Sequence, residues 1–134
     1  MENKYSCHNR SKYSLKVHIV LVTKYRKRLL DVQIGLFVKS TVCDIAIRNG
    51  YIITAMETDG DHIHILLDYH PTDRICDIVK ALKQQTTHRL WEQYHTYLAT
   101  QYWGKRIFWS NGYFTCSVGE ASAETIQRYI QNQG

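Results

Sequence analysis

The stretch Asp59-Gly60-Asp61-His62-Ile63-His64-Ile65-Leu66-Leu67-Asp68-Tyr69 decides the fold. Asp59-Gly60 reads as a tight hairpin turn, because glycine accepts the positive φ that a two-residue connection demands. His62 to Tyr69 is then a strand, and Tyr51 to Thr58, on the other side of the turn, is its antiparallel partner. Side chains alternate along a strand, so His62 and His64 emerge together on one face while Ile63 points into the core.

Upstream of the hairpin, Leu15, Val17, Ile19 and Leu21 alternate with Lys16, His18 and Val20, which predicts a strand with one fully apolar face. Ile34, Phe37, Val38, Val42 and Ile45 then recur at three- and four-residue spacing up to Gly50, an amphipathic helix with a glycine just past its end. Downstream, after Pro71, a helix is predicted from about Asp73 to Trp91. It buries Ile75, Ile78, Val79 and Leu82 and turns Lys80, Lys83, Gln84 and Thr87 outward. Glu92 to Ser110 is aromatic and poorly periodic and reads as a helical extension and loop, and Gly112 to Val118 reads as a short strand. A final helix starts at the N-cap Ser122, with Glu124 in its first turn, and runs through Gln133 with Ile126 and Ile130 on its buried side. The order β-α-β-β-α-β-α predicts an α/β (α+β) chain. Its expected form is a ferredoxin-like or RRM-like split βαβ antiparallel sheet, with helices on one face and an added C-terminal helix.

With 134 residues the whole chain, 1–134, makes a single domain. A composition of 44% hydrophobic and 22% charged residues argues against disorder, and one proline with seven glycines argues against collagen-like or linker architectures. The longest apolar run, Val17 to Val22, is far short of the roughly 20 residues needed to cross a bilayer. Met1 to Arg10 has no apolar signal-peptide core, so a cytoplasmic location with no membrane partner is expected. The four cysteines form no C-x-x-C pair, which argues against a disulfide framework or zinc ribbon and predicts reduced thiols, mostly in the core. Residues 1 to 28 hold eight basic side chains against one acid, whereas the remainder carries nine against eleven. That asymmetry, with Tyr5, Tyr13 and Tyr25 among the charges, suits a nucleic-acid partner.

Two constellations carry chemistry. His62 and His64 on one strand face can hold one metal ion, although a half-exposed polar face would look the same. In the last helix Tyr129 and Gln133 are four residues apart, hence neighbours, with Arg128 and Asn132 beside them. Without the histidines, a packed ring with a wet hydroxyl would account for Tyr129.

Taken together, Asp61 to Leu67, Trp109-Ser110-Asn111-Gly112-Tyr113-Phe114 with Ser117-Val118-Gly119, and Tyr129-Ile130-Gln131-Asn132-Gln133 resemble the TnpA-type insertion-sequence transposases, which are single-tyrosine HUH enzymes. Tyr13 to Val20, followed by Thr23-Lys24-Tyr25-Arg26, is similar to the family's opening strand and basic turn. The resemblance spans about Tyr13 to Gln133.

Position by position, it implies that His62, His64 and Gln133 bind a divalent metal, Mg or Mn, and that Tyr129 is the nucleophile. Tyrosine in place of water would keep the cut end as a 5′-phosphotyrosine ready for rejoining. It further implies single-stranded DNA with imperfect hairpins as the partner, and a homodimer with trans active sites. Lys24, Arg26, Lys27 and Arg28, with Lys80 and Lys83, are candidate phosphate contacts, and Tyr25 is a candidate to stack on a base. One departure is Lys83-Gln84-Gln85-Thr86, where the family often has a Lys-Gly-x-Ser-type segment, so the DNA contact there is expected to differ.

Two other readings fit parts of the pattern. A replication initiator or relaxase also pairs H-x-H with tyrosine, but the last helix has no second tyrosine near Tyr129 and has Asn132 where a Tyr-x-x-Lys arrangement would need lysine. An RRM-like, non-catalytic nucleic-acid-binding module would expose aromatic side chains on its central strands, where this chain has His62 and His64.

Overall fold

The computed structural model describes residues 15–117 and 123–133. Strand β1 (Leu15–Val22) sits inside a four-stranded sheet, paired antiparallel on one side with β3 (His62–Tyr69) and on the other with β4 (Phe114–Ser117). Strand β2 (Ile52–Thr58) pairs antiparallel with the outer side of β3, giving the order β2-β3-β1-β4. This is the split βαβ arrangement expected from the sequence. His62 and His64 therefore stand on an inner strand.

The register fixes which side chains share a face. Val17, Ile19 and Leu21 of β1 lie with Ile63, Ile65 and Leu67 of β3 in the main core. Against them pack Ile34, Val38, Val42 and Ile45 of α1 (Val32–Asn49) and Ile78, Val79, Leu82 and Leu90 of α2 (Ile75–Gln93). All fourteen side chains are buried, and each contributes on the order of 1.5–3 kcal/mol by leaving water. Helix α1 is closed at both ends: Asp31 Oδ1 accepts from the Ile34 N–H at 2.8 Å, and Gly50 takes the left-handed conformation (φ 80°) that a side chain would resist.

Several boundaries differ from the sequence expectation. Helix α2 starts at Ile75 rather than Asp73, because Asp73 is spent on the preceding turn, where its Oδ2 accepts from the His70 N–H at 3.0 Å. The hairpin is centred one residue later than expected, on Gly60-Asp61: the Asp59 N–H donates to the His62 carbonyl at 3.0 Å. Tertiary contacts hold that register, since the carbonyls of Gly60 and Asp61 accept from Leu30 and Thr23, each at 2.9 Å. The aperiodic segment after α2 contains a further helix, α3 (His95–Gln101). Aromatics on either side of it, in α2 and just past α3, are anchored by polar tips: the Tyr102 hydroxyl donates to the Lys24 carbonyl at 3.0 Å, and Trp91 Nε1 to the Ile107 carbonyl at 3.0 Å. Cys43 and Cys76 are exposed and Cys116 half-buried, so these three are not core as expected.

The last helix, α4 (Ala123–Gln131), lies on the sheet face opposite α1 and α2, where Ile130 packs on Val20 and Val22. It ends two residues before Gln133, which sits in a tighter turn with its N–H on the Ile130 carbonyl at 3.0 Å. Cys7, Tyr5, Tyr13, the early basic residues Lys4, Arg10 and Lys12, Val118 and the expected N-cap Ser122 lie outside the described residues, as do the side chains of Glu124 and Ile126. No helix among the described residues is long and apolar enough to cross a membrane.

Candidate active site

The face of the sheet that α1 and α2 leave free carries His18 from β1, His62 and His64 from β3, and Glu57, which lies opposite His64 on β2. His62 is held by the turn before it. Asp61 is buried, and its carboxylate accepts from His62 Nδ1 at 3.1 Å and from Arg26 Nε at 3.2 Å. Burial alone would raise the Asp61 pKa; the hydrogen bonds from His62 and Arg26 outweigh it and hold the carboxyl below its ordinary value. A carboxylate only accepts, so Nδ1 of His62 carries a hydrogen, and in the neutral ring Nε2 is the nitrogen with the lone pair.

His64 has a different partner. Its Nε2 lies 2.7 Å from Nδ1 of His18, with ring centroids 4.8 Å apart. Burial pushes the pKa of both imidazoles down, and for His64 the nearby His18 and His62 add to that while Glu57 opposes it. Two neutral rings at this distance share one hydrogen. With that hydrogen on His64 Nε2, His64 Nδ1 is free to act as a ligand. Each histidine of the pair then has one nitrogen engaged and one available, the arrangement typical of metal-binding imidazoles. The residues thus fit a divalent ion, with a cleft of about 220 Å³ lined by His18, Glu57, His64 and Leu66 beside them. Among the described residues, no group of three His, Cys, Asp or Glu is placed to hold a metal.

Tyr129 lies on the same side of the sheet but toward β4. Its ring packs on Phe114 at 5.4 Å, its hydroxyl is beside Gly112, and its neighbour Ile130 is buried. The hydroxyl is buried without a hydrogen-bond partner among the described residues, and this burial raises its pKa above the ordinary phenol value. No hydrogen bond or ring contact joins Tyr129 or Gln133 to His62 or His64 among the described residues. Arg26 links the two halves: its Nε holds Asp61 and its Nη1 donates to the Gln131 carbonyl at 3.5 Å.

The other candidates divide into those hydrogen-bonded within the protein and those left more exposed. Lys83 Nζ donates to the carbonyls of Ser110, Asn111 and Gly112 at 2.8, 3.1 and 3.2 Å, and burial, then Lys24, lowers its pKa. It therefore clamps the turn against which Tyr129 rests. The same turn is tied to α2 by Trp109 Nε1, which donates to Thr86 Oγ1 at 2.8 Å. Lys24 reaches Asn111 Oδ1 at 3.4 Å, whereas Tyr25, Arg28 and Lys80 are exposed and Lys27 is half-exposed. Sequence reading gave no role to His18 or Asp61. The alternation on β1 that puts His18 on the His64 face was legible, but the diagonal approach of the two rings depends on strand register.

The chain's sequence matches the family described as "Transposase IS200 like" over residues 11–133. It is 35% identical over 121 residues to the ISDra2 transposase TnpA of Deinococcus radiodurans, covering 90% of this chain and 85% of that one. It is 31% identical over 123 residues to the transposase for insertion sequence element IS200 of Salmonella typhimurium, covering 92% and 79%. A crystal structure assigned to a transposase of Deinococcus radiodurans superposes with a TM-score of 0.85 at 32% identity, over 99% of this chain and 98% of that one. A REP-associated tyrosine transposase bound to a REP hairpin shares the fold, with a TM-score of 0.57 at 13% identity, over 93% of this chain and 68% of that one.

Proposed function

Because the chain belongs to the family of IS200-like transposases, we propose that it cleaves and rejoins single-stranded DNA at insertion-sequence ends, with Tyr129 as the nucleophile. The observation that carries this reading is the inner-strand pair His62 and His64. Both are presented on one open face, beside the helix that carries the tyrosine.

In the cutting step the Tyr129 oxygen attacks the scissile phosphorus and the bond to the 3′ oxygen breaks. The 3′ oxygen leaves with a proton as a hydroxyl, and the 5′ phosphate remains as an ester on Tyr129. Rejoining is the reverse with a new 3′ hydroxyl: it attacks the same phosphorus, the bond to Tyr129 breaks and the phenol regains its proton. Buried and protonated as it is here, Tyr129 must leave its pocket and give up its proton in the first step.

His62, His64 and Gln133 would hold a Mg or Mn ion, which when bound polarises a non-bridging oxygen of the phosphate. Two imidazoles favour Mn over Mg on ligand grounds. Asp61 and His18 keep the two rings oriented for that role.

The proposal includes recognition of imperfect DNA hairpins, action in the cytoplasm, and a homodimer in which α4 of one protomer completes the histidine site of its partner. The shared site is supported by the placement of Tyr129 over β4 while the histidines stand on β3, roughly 10 Å away at about 4.8 Å per strand. Lys24, Lys27, Arg28 and Lys80 are the phosphate contacts in this reading, and Arg26 and Lys83 act within the protein. The test is a denaturing gel with labelled single-stranded DNA from the element's end. A covalent adduct forms with Mn, disappears with chelator and is absent from Tyr129→Phe; an adduct that persists in Tyr129→Phe overturns the reading.

A further inference from the structure

We propose that Tyr25 and Trp103 form a stacking platform for an unpaired base of the DNA strand. Both rings are left in solvent, at 53% and 71% exposure, although the core takes other aromatics completely, Tyr102 and Phe108 among them. They meet edge to face with centroids 5.9 Å apart. Tyr25 also touches the buried Tyr102 ring at 6.3 Å, so the exposed pair stands on a fixed base.

The backbone that presents the rings is strained. Tyr25, Arg26 and Trp103 have φ of 62°, 52° and 53° and are the non-glycine residues with positive φ among the described residues. Such conformations persist only where surrounding contacts impose them. Here the Tyr102 hydroxyl donates to the carbonyls of Lys24 and Phe108, the Lys24 N–H donates to the Phe108 carbonyl at 2.8 Å, and the Gly104 N–H closes on Ala99 at 3.0 Å. One network thus holds both segments and turns both rings outward.

Charge selects the occupant. Lys24 Nζ stands 5.5 Å from the Tyr25 ring centre, and Lys27 Nζ stands 5.6 Å from that of Trp103. Aromatic faces flanked by ammonium groups suit a base attached to a phosphate backbone. A base inside a duplex is covered on both faces by its neighbours, so the occupant is an unpaired base of a single strand. The platform lies at the His62 end of the sheet, because Val22, three residues before Tyr25, is the register partner of His62. A base a few nucleotides from the scissile phosphate is its ligand. This deepens the single-strand reading above and rests on it.

The test is binding of a single-stranded oligonucleotide carrying 2-aminopurine at successive positions, with the same sequence annealed as a duplex. Trp103→Ala and Tyr25→Gly, the latter suited to the positive φ, should each weaken single-strand binding roughly 5- to 150-fold. They should also abolish fluorescence quenching at one position, while Trp103→Phe keeps most of both and duplex affinity stays unchanged. Ile47→Ala, exposed at the far end of α1, is the control that should bind as wild type. Wild-type single-strand affinity in Trp103→Ala, or an equal loss for single strand and duplex, overturns the platform. Binding needs no chemistry, so a missing adduct alongside Trp103-dependent binding counts against the catalytic reading alone.

Discussion

Replacing Tyr129 with phenylalanine should make the folded protein more stable while removing its chemistry. The hydroxyl is buried beside Gly112 with no hydrogen-bond partner among the described residues, and a polar group so placed costs about 1–3 kcal/mol. The ring contact with Phe114 and the seat of Ile130 on Val20 and Val22 do not involve that oxygen. The expected gain is therefore about 1 kcal/mol, or a Tm increase of roughly 3–5 °C for a domain of this size. Because burial raises the phenol pKa above 10.0, ionisation begins in the unfolded chain first. The advantage of the variant should stay level from pH 6 to 9 and widen as the pH rises past about 10. Urea melts of both proteins across that range measure it. A variant less stable by 1 kcal/mol or more, or an advantage that shrinks above pH 10, would refute the reasoning.

Asp61→Asn tests the orientation of His62. The side-chain amide can donate to Nδ1 and shift the hydrogen to Nε2, so Mn affinity by calorimetry should fall about 10- to 100-fold; unchanged affinity would rule out the role. The stability cost should be about 1–2 kcal/mol, since the Arg26 partner is 37% exposed and adds little. The two lysines of α2 should separate. Lys80→Ala should lower the salt slope of single-strand binding by about 0.7 without affecting stability. Lys83→Ala should speed hydrogen exchange at residues 110 to 112, because three carbonyls lose their donor; normal exchange there would contradict the clamp.

What the sequence shows well is whatever alternates or repeats. The β3 boundaries, the burial of Ile63 between two half-exposed histidines and the Gly50 cap follow from periods of two and 3.6 and from the freedom of glycine. The hairpin turn slipped by one residue because Leu30 and Thr23, distant in sequence, select which carbonyls are presented. Residues 92 to 110 resisted reading for a related reason: Tyr102 and Trp109 are buried with their polar tips bonded, which leaves no polar-apolar rhythm. At the site, side-chain alternation put His62 and His64 on one face and helical spacing put Tyr129 beside Gln133, while the roles of Tyr129 and Gln133 came from the family resemblance. Their supports, Asp61, His18 and Arg26, act across strands and turns, where local pattern carries no signal. Lys83 looked like a surface cation by helical spacing and is a carbonyl clamp by tertiary contact.

The assignment of Tyr129 is tested most directly by locating the bond to DNA. Wild-type protein incubated with Mn and a single-stranded end substrate is digested with protease, and the nucleotide-bearing peptide is sequenced by mass spectrometry. The 5′-phosphate should be found on Tyr129 and on none of the other nine tyrosines. A nucleotide on any other side chain, or cleavage that leaves no protein–DNA bond, would contradict it.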